Sequence, residues 1–133
     1  MAEFQKSEIL EDIAKKVINE YDIFKVLRDG KCRIAFQYAK GEKKSGGKVV
    51  FADTERVKEK FKEFMPYDFV ITFYERNTFH LGDVQMEHLM YHELKHVGYD
   101  PVDEKFTVIP HDLEDFKDVI DKWGVDWISP QQD

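Results

Sequence analysis

Apolar residues recur at three- and four-residue spacing through residues 3–28: Phe4, Ile9, Ile13, Val17, Ile18, Tyr21, Phe24 and Leu27, with charged residues between them. That period puts them on one face of a helix. Gly30, following Arg28 and Asp29, closes it. From Cys32 to Tyr38 the pattern changes to alternation, which predicts a half-buried strand. Residues 40–48 (KGEKKSGGK) hold two adjacent Gly, a Ser and four Lys, the composition of a solvated loop. Val49, Val50 and Phe51 fit a short strand. Thr54 then has the chemistry of an N-cap for a helix to about Phe64, with Val57, Phe61 and Phe64 on its apolar side and Pro66 as its stop.

The clearest strand signal is Tyr67 to Tyr74 (YDFVITFY), dense in β-branched and aromatic residues. A second long helix is expected over residues 83–97, between Gly82 and Gly98. Phe106 to Ile109 reads as another short strand before Pro110. Asp112 suits the N-cap of a last helix whose apolar face is Leu113, Phe116, Ile120 and Trp123, ended by Gly124; the tail at 128–133 is polar. With no repeat and no long linker, the 133 residues fit one mixed α+β domain, long enough to bury a core of its own.

Composition adds two constraints. Hydrophobic residues at 42% and few Gly or Pro describe a packed globular domain. The net charge of −7 argues against coating nucleic acid or an anionic membrane. This charge is uneven: residues 1–66 carry 15 Lys or Arg against 12 Asp or Glu, whereas residues 67–133 carry 5 against 15. All five His lie in that acidic half, between His80 and His111, where a bound cation makes electrostatic sense. The single Cys32 excludes an internal disulfide and a multi-Cys zinc site. It reads as a small buried residue. No leader pattern and no apolar run near 18 residues are present, so a cytoplasmic location is the expectation.

The chemistry concentrates in His92-Glu93-Leu94-Lys95-His96, an HExxH sequence inside the second helix. Four residues advance a helix by about 400° and 6 Å, so both imidazoles project from one face, a turn apart. One tetrahedral metal could take both, while Glu93, about 100° around, holds the attacking water as general base. Such a site needs a third protein ligand and an open position. Val102 stands where the extended metzincin pattern has its third His. His111 is the better candidate, with Glu114 as its rival and Asp112 serving as a cap. His88 shares the row of His92 and His96, but three ligands in a straight row cannot surround one ion, so it is expected beside the site or at the surface. His80 is expected to be solvated or structural. Tyr67, Tyr91 and Tyr99 could each offer a hydroxyl to an oxyanion, although core or rim packing is the commoner role. The 67–74 strand could run beside the metal helix and pair with an extended peptide through a free edge.

These motifs together (Gln85 and the run Met86 to His96, PHDLEDF from Pro110 to Phe116, and WGVDW from Trp123 to Trp127) resemble the phage metallopeptidase domain, a small family related in style to SprT-like proteases. The resemblance covers most of residues 30–127, with the N-terminal helix (1–29) and the Lys-rich loop as its weaker parts. It implies a zincin-like fold in which a small mixed sheet packs against the HExxH helix. It also implies His92, His96 and His111 as zinc ligands, Glu93 as catalytic residue, and a peptide or protein substrate in a bacterial or phage-infected cytoplasm. Two other readings share the metal. One is a zinc-dependent hydrolase of nucleic acid or another ester, suggested by the basic loop. The other is a non-catalytic module in which zinc ties the second helix to the last, although such a site has no need of Glu93.

Overall fold

The computed structural model describes residues 3–41, 43–100, 102 and 105–109. His111, Asp112, Glu114, the last helix and the tail lie outside the described residues. The architecture is α+β, as the pattern predicts, and its sheet is mixed. Four strands lie in the order β1 (Phe4–Lys6), β2 (Ile34–Ala39), β6 (Phe69–Tyr74) and β5 (Ala52–Arg56). β2 runs parallel to β6, and the two outer strands run antiparallel to their neighbours. β6 is therefore hydrogen-bonded on both sides. It has no free edge for a peptide, and β5 is the end strand beside it.

Alternation along β6 explains the layering. Phe69, Ile71 and Phe73 all point to one face and are fully buried. On that face, Ile34, Phe36 and Tyr38 sit opposite them in β2, and Ala52, Thr54 and Arg56 in β5. Two helices pack there, α1 (Glu8–Glu20) and α3 (Asp83–Leu94), in contact with each other; α1 also meets β2 and α3 meets β5. Leu10, Ala14 and Val17 of α1 join Leu89, Met90 and Leu94 of α3 in one core.

The sequence pattern predicts one helix over 3–28, but the segment is in three pieces. Phe4–Lys6 pairs with β2, Ser7 turns extended to cap α1, and a 3-10 helix covers Asp22–Leu27. Tyr21, also extended, interrupts the helix between them. Arg28 closes the corner, donating to the Ile18 carbonyl at 2.8 Å through Nε. Its guanidinium thus takes a carbonyl that the helix end would otherwise leave without a partner.

Where a loop is expected over 40–48, a hairpin spans 43–50: β3 (Lys43–Ser45) pairs with β4 (Lys48–Val50). Gly46 and Gly47 both have positive φ, 59° and 80°, which a two-residue hairpin turn requires. The helix expected after Thr54 is also absent. Residues 52–56 form β5, and only Glu59–Phe61 turn, as a 3-10 helix. Pairing with β6 outweighs local helix propensity here, and Phe64, expected on an apolar face, is 82% exposed.

α3 stops at Leu94, short of the predicted 97, because Val97–Asp100 (β7) pairs with Lys105–Val108 (β8). Gly98 is a strand glycine, where a helix-ending one is expected. A Cβ there would lie 2.5 Å from the Ile109 side chain. A short helix, α2 (Glu75–Thr78), links β6 towards α3. Among the described residues, no helix is long and apolar enough to cross a membrane.

Candidate metal centre

α3 carries its chemistry on a helix that is buried on more than one side. Tyr91 is 1% exposed, its ring edge-on to Tyr21 and Phe24 at 5.0 and 5.1 Å. Such packing fixes the helix in rotation as well as in position. At its C-terminal end, donor atoms of His92, Glu93 and His96 all come within 4.8 Å of one another. The two imidazole centroids are 5.3 Å apart, and His92 Nε2 lies 4.0 Å from Glu93 Oε2. Two imidazoles and a carboxylate at this spacing form a donor set suited to a borderline-soft divalent cation. His88, a turn earlier and half-buried, is not one of these three. Burial lowers its pKa.

His96 sits just past the helix, in the turn that leads into β7. Its Nδ1 is 2.7 Å from the Ile109 carbonyl oxygen. A carbonyl only accepts, so Nδ1 carries the proton, which leaves Nε2 as the nitrogen that can offer a lone pair. That is the arrangement in which a backbone carbonyl orients a metal-binding imidazole. Ile109 returns the contact, its N–H donating to the His96 carbonyl at 2.7 Å. The Ile109 side chain fills the space over Gly98, so the base of the β7–β8 hairpin holds His96 on two sides.

Glu93 is 3% exposed. Thr54 faces it from β5, its hydroxyl shared between Glu93 Oε1 at 2.8 Å and the Glu93 carbonyl at 3.1 Å. Burial pushes the Glu93 carboxyl from its ordinary 4.5 up to about 8; the Thr54 bond works against the rise and the nearby Asp53 charge adds to it. A cation among these donors would reverse that balance by favouring the ionised form. Asp53 points to the other face of the sheet, where Oδ2 accepts from Lys43 Nζ and from Tyr74 Oη, each at 2.7 Å. Tyr74 is pushed up to about 12, first by burial and then by Asp53.

The remaining candidates lie elsewhere. His80 is exposed, in a turn after α2. Tyr91 is in the core, Tyr67 accepts a hydrogen bond from Lys6 Nζ, and Tyr99 packs on Phe106 in the hairpin. Burial raises the Cys32 thiol to about 12, which leaves it a poor nucleophile. Sequence reasoning missed Thr54 and Ile109. Thr54 was legible only as a helix cap, and Ile109 acts through its backbone, which no motif reports.

The family described as Putative phage metallopeptidase matches residues 2–131 of this chain. Among curated proteins and among solved structures, no match is found.

Proposed function

We propose that this chain, which belongs to that phage metallopeptidase family, is a zinc-dependent peptidase using His92, His96 and His111 as ligands and Glu93 as general base. The observation that carries this is the His92–Glu93–His96 cluster, with one imidazole already oriented by the Ile109 carbonyl. His111 is two residues after Ile109 in the sequence, and Ile109 is the residue tied directly to His96. Glu114 starts three residues further on, which makes it the weaker candidate for third ligand. Zinc bound there would supply a Lewis acid for the scissile carbonyl and bring water's pKa toward about 7.

The chain's own residues do the rest. Glu93 takes a proton from the attacking water as the new C–O bond forms. It then returns that proton to the departing amine as the C–N bond breaks, so the carboxylate is regenerated. Thr54 holds the carboxyl in one rotamer, and the buried setting of α3 limits competing water. A purely structural metal module explains less. Burying a carboxylate beside two imidazoles is costly, and a site that only ties elements together gains nothing from it.

Zinc content and cleavage of quenched peptides, measured on the wild type and on Glu93→Gln, test this reading. Glu93→Gln should keep its zinc and lose about 10²- to 10⁴-fold in kcat. His111→Ala should lose most of its zinc affinity, while Glu114→Ala keeps it; the reverse pattern would transfer the third ligand to Glu114. A wild type that binds no zinc would end the proposal.

A further inference from the structure

Two strands lead away from the metal centre towards one cleft. β5 runs from Thr54, which is bonded to Glu93, to Arg56 on the same face of the sheet. The β7–β8 hairpin starts at His96 and Ile109 and carries the pair Tyr99 and Phe106, next to its outermost pair, Asp100 and Lys105. Between Arg56 and that aromatic pair lies a cleft of about 440 Å³. Phe69 forms part of its lining, and four cations reach it: Lys31, Arg56, Lys62 and Lys105.

Its charge differs in sign from that of the whole protein. Two carboxylates, Glu59 and Asp68, also line it, against the four cations, within a chain of net charge −7. Lys62 is bound to both of these acids, at 3.5 and 3.1 Å, and Arg56 reaches Glu59 only at 3.9 Å. Among the described residues, Lys31 and Lys105 form no ion pair. Both are exposed and line a cleft whose own acids already have Lys62 as partner.

We propose that this cleft is a subsite for an acidic side chain, Asp or Glu, of the peptide substrate. Arg56 is two residues beyond Thr54, about 7 Å along the strand. An extended peptide with its scissile bond at the metal centre places the side chain two residues away at the same distance. The tilted rings of Tyr99 and Phe106, 5.0 Å apart, give an apolar wall for the aliphatic stem of that side chain. Lys31 and Lys105 supply the charge for its carboxylate. A phosphate backbone suits the cleft less well, because Glu59 and Asp68 would lie against a run of negative charges.

The inference rests on the peptidase reading for the position of the cut, but binding can be measured without it. The probes are short fluorescein-labelled peptides of alanine and glycine carrying one Glu, one Lys or neither. Anisotropy is read with zinc-loaded Glu93→Gln protein, and cleavage of the matching quenched peptides with the wild type. The Glu peptide should bind about two- to fivefold more tightly than the Lys peptide, the range expected of one partly exposed ion pair. Lys31→Glu/Lys105→Glu should invert that order, with zinc content and melting temperature unchanged. Wild-type cleavage should show the same preference, at one position about two residues from the cut. Cleavage of all three peptides alike would overturn the subsite and leave the peptidase standing. Acid-selective binding lost in the double variant, with no cleavage by the wild type, would support the subsite and count against the peptidase. Tighter binding of a single-stranded oligonucleotide, in competition with the Glu peptide, would overturn the acidic-peptide assignment.

Discussion

The two long helices lie against each other on one face of the sheet and are built for different ends. α1 buries a single stripe, Leu10, Ala14 and Val17, flanked by the half-buried Ile13 and Ile18, and turns its charged residues outward. α3 buries Met86, Leu89, Met90, Tyr91 and Leu94, and with them the carboxylate Glu93. One helix is stabilised by what it hides; the other hides something that destabilises it. Removing buried groups should therefore have opposite consequences in the two, and that is where the comparison can be broken.

The largest effect is expected in α1. Leu10 is fully buried in the shared core, so Leu10→Ala should cost about 2–5 kcal/mol of unfolding free energy. Peptide cleavage and zinc content at low temperature should remain near wild type, since Leu10 lies on α1 and the donor groups lie at the end of α3. Denaturant melts read alongside cleavage would show this. A loss of zinc at temperatures where the protein is still folded would mean that α1 helps to position the site.

The contrast also explains what could be read from the sequence. Bounding glycines found α3, β-branched and aromatic density found β6, and HExxH named Glu93 and both imidazoles because four residues make one helical turn; periodicity served less well. It ran β1, α1 and the 3-10 turn together, since Phe4, Tyr21 and Phe24 continue an apolar period that the backbone does not follow. It took β5 for a helix because Thr54, Glu55 and Arg56 carry no strand signal of their own; they become a strand by pairing with β6. The partners of the site, Thr54 and the Ile109 carbonyl, come from that misread strand and from a backbone atom. Both are created by tertiary contact.

In α3 the expected effect depends on pH. The buried Glu93 carboxyl, at about 8, lies above its ordinary 4.5. In metal-free protein between those values the native state holds a proton that the unfolded chain releases. Stability should then fall as pH rises, by up to about 1.4 kcal/mol per pH unit, and level off above about 8. Below 4.5 both states are protonated and the penalty is absent. Glu93→Gln removes the titrating group, so its metal-free stability should lack this slope and exceed that of the wild type at pH 8. Urea melts in chelator across pH 5–9 would measure it, and equal slopes in both proteins would assign the pH dependence to other groups.

The smallest effect tests how each helix begins. Ser7 caps α1, its hydroxyl accepting the Leu10 N–H at 3.1 Å, while its own N–H donates to the Phe36 carbonyl at 3.0 Å. Ser7→Ala removes only the first bond and should cost about 1 kcal/mol. α3 starts at Gly82, which has no side chain to cap with; the Gln85 side chain accepts from its N–H instead. Gly82 has ordinary extended backbone, and a Cβ there would meet nothing within 4 Å. Gly82→Ser should therefore gain a few tenths of a kcal/mol by the same bond that Ser7→Ala loses. If Gly82→Ser destabilises the protein, the entry to α3 is held by contacts beyond its own cap. The start of α3 would then be as constrained as its end.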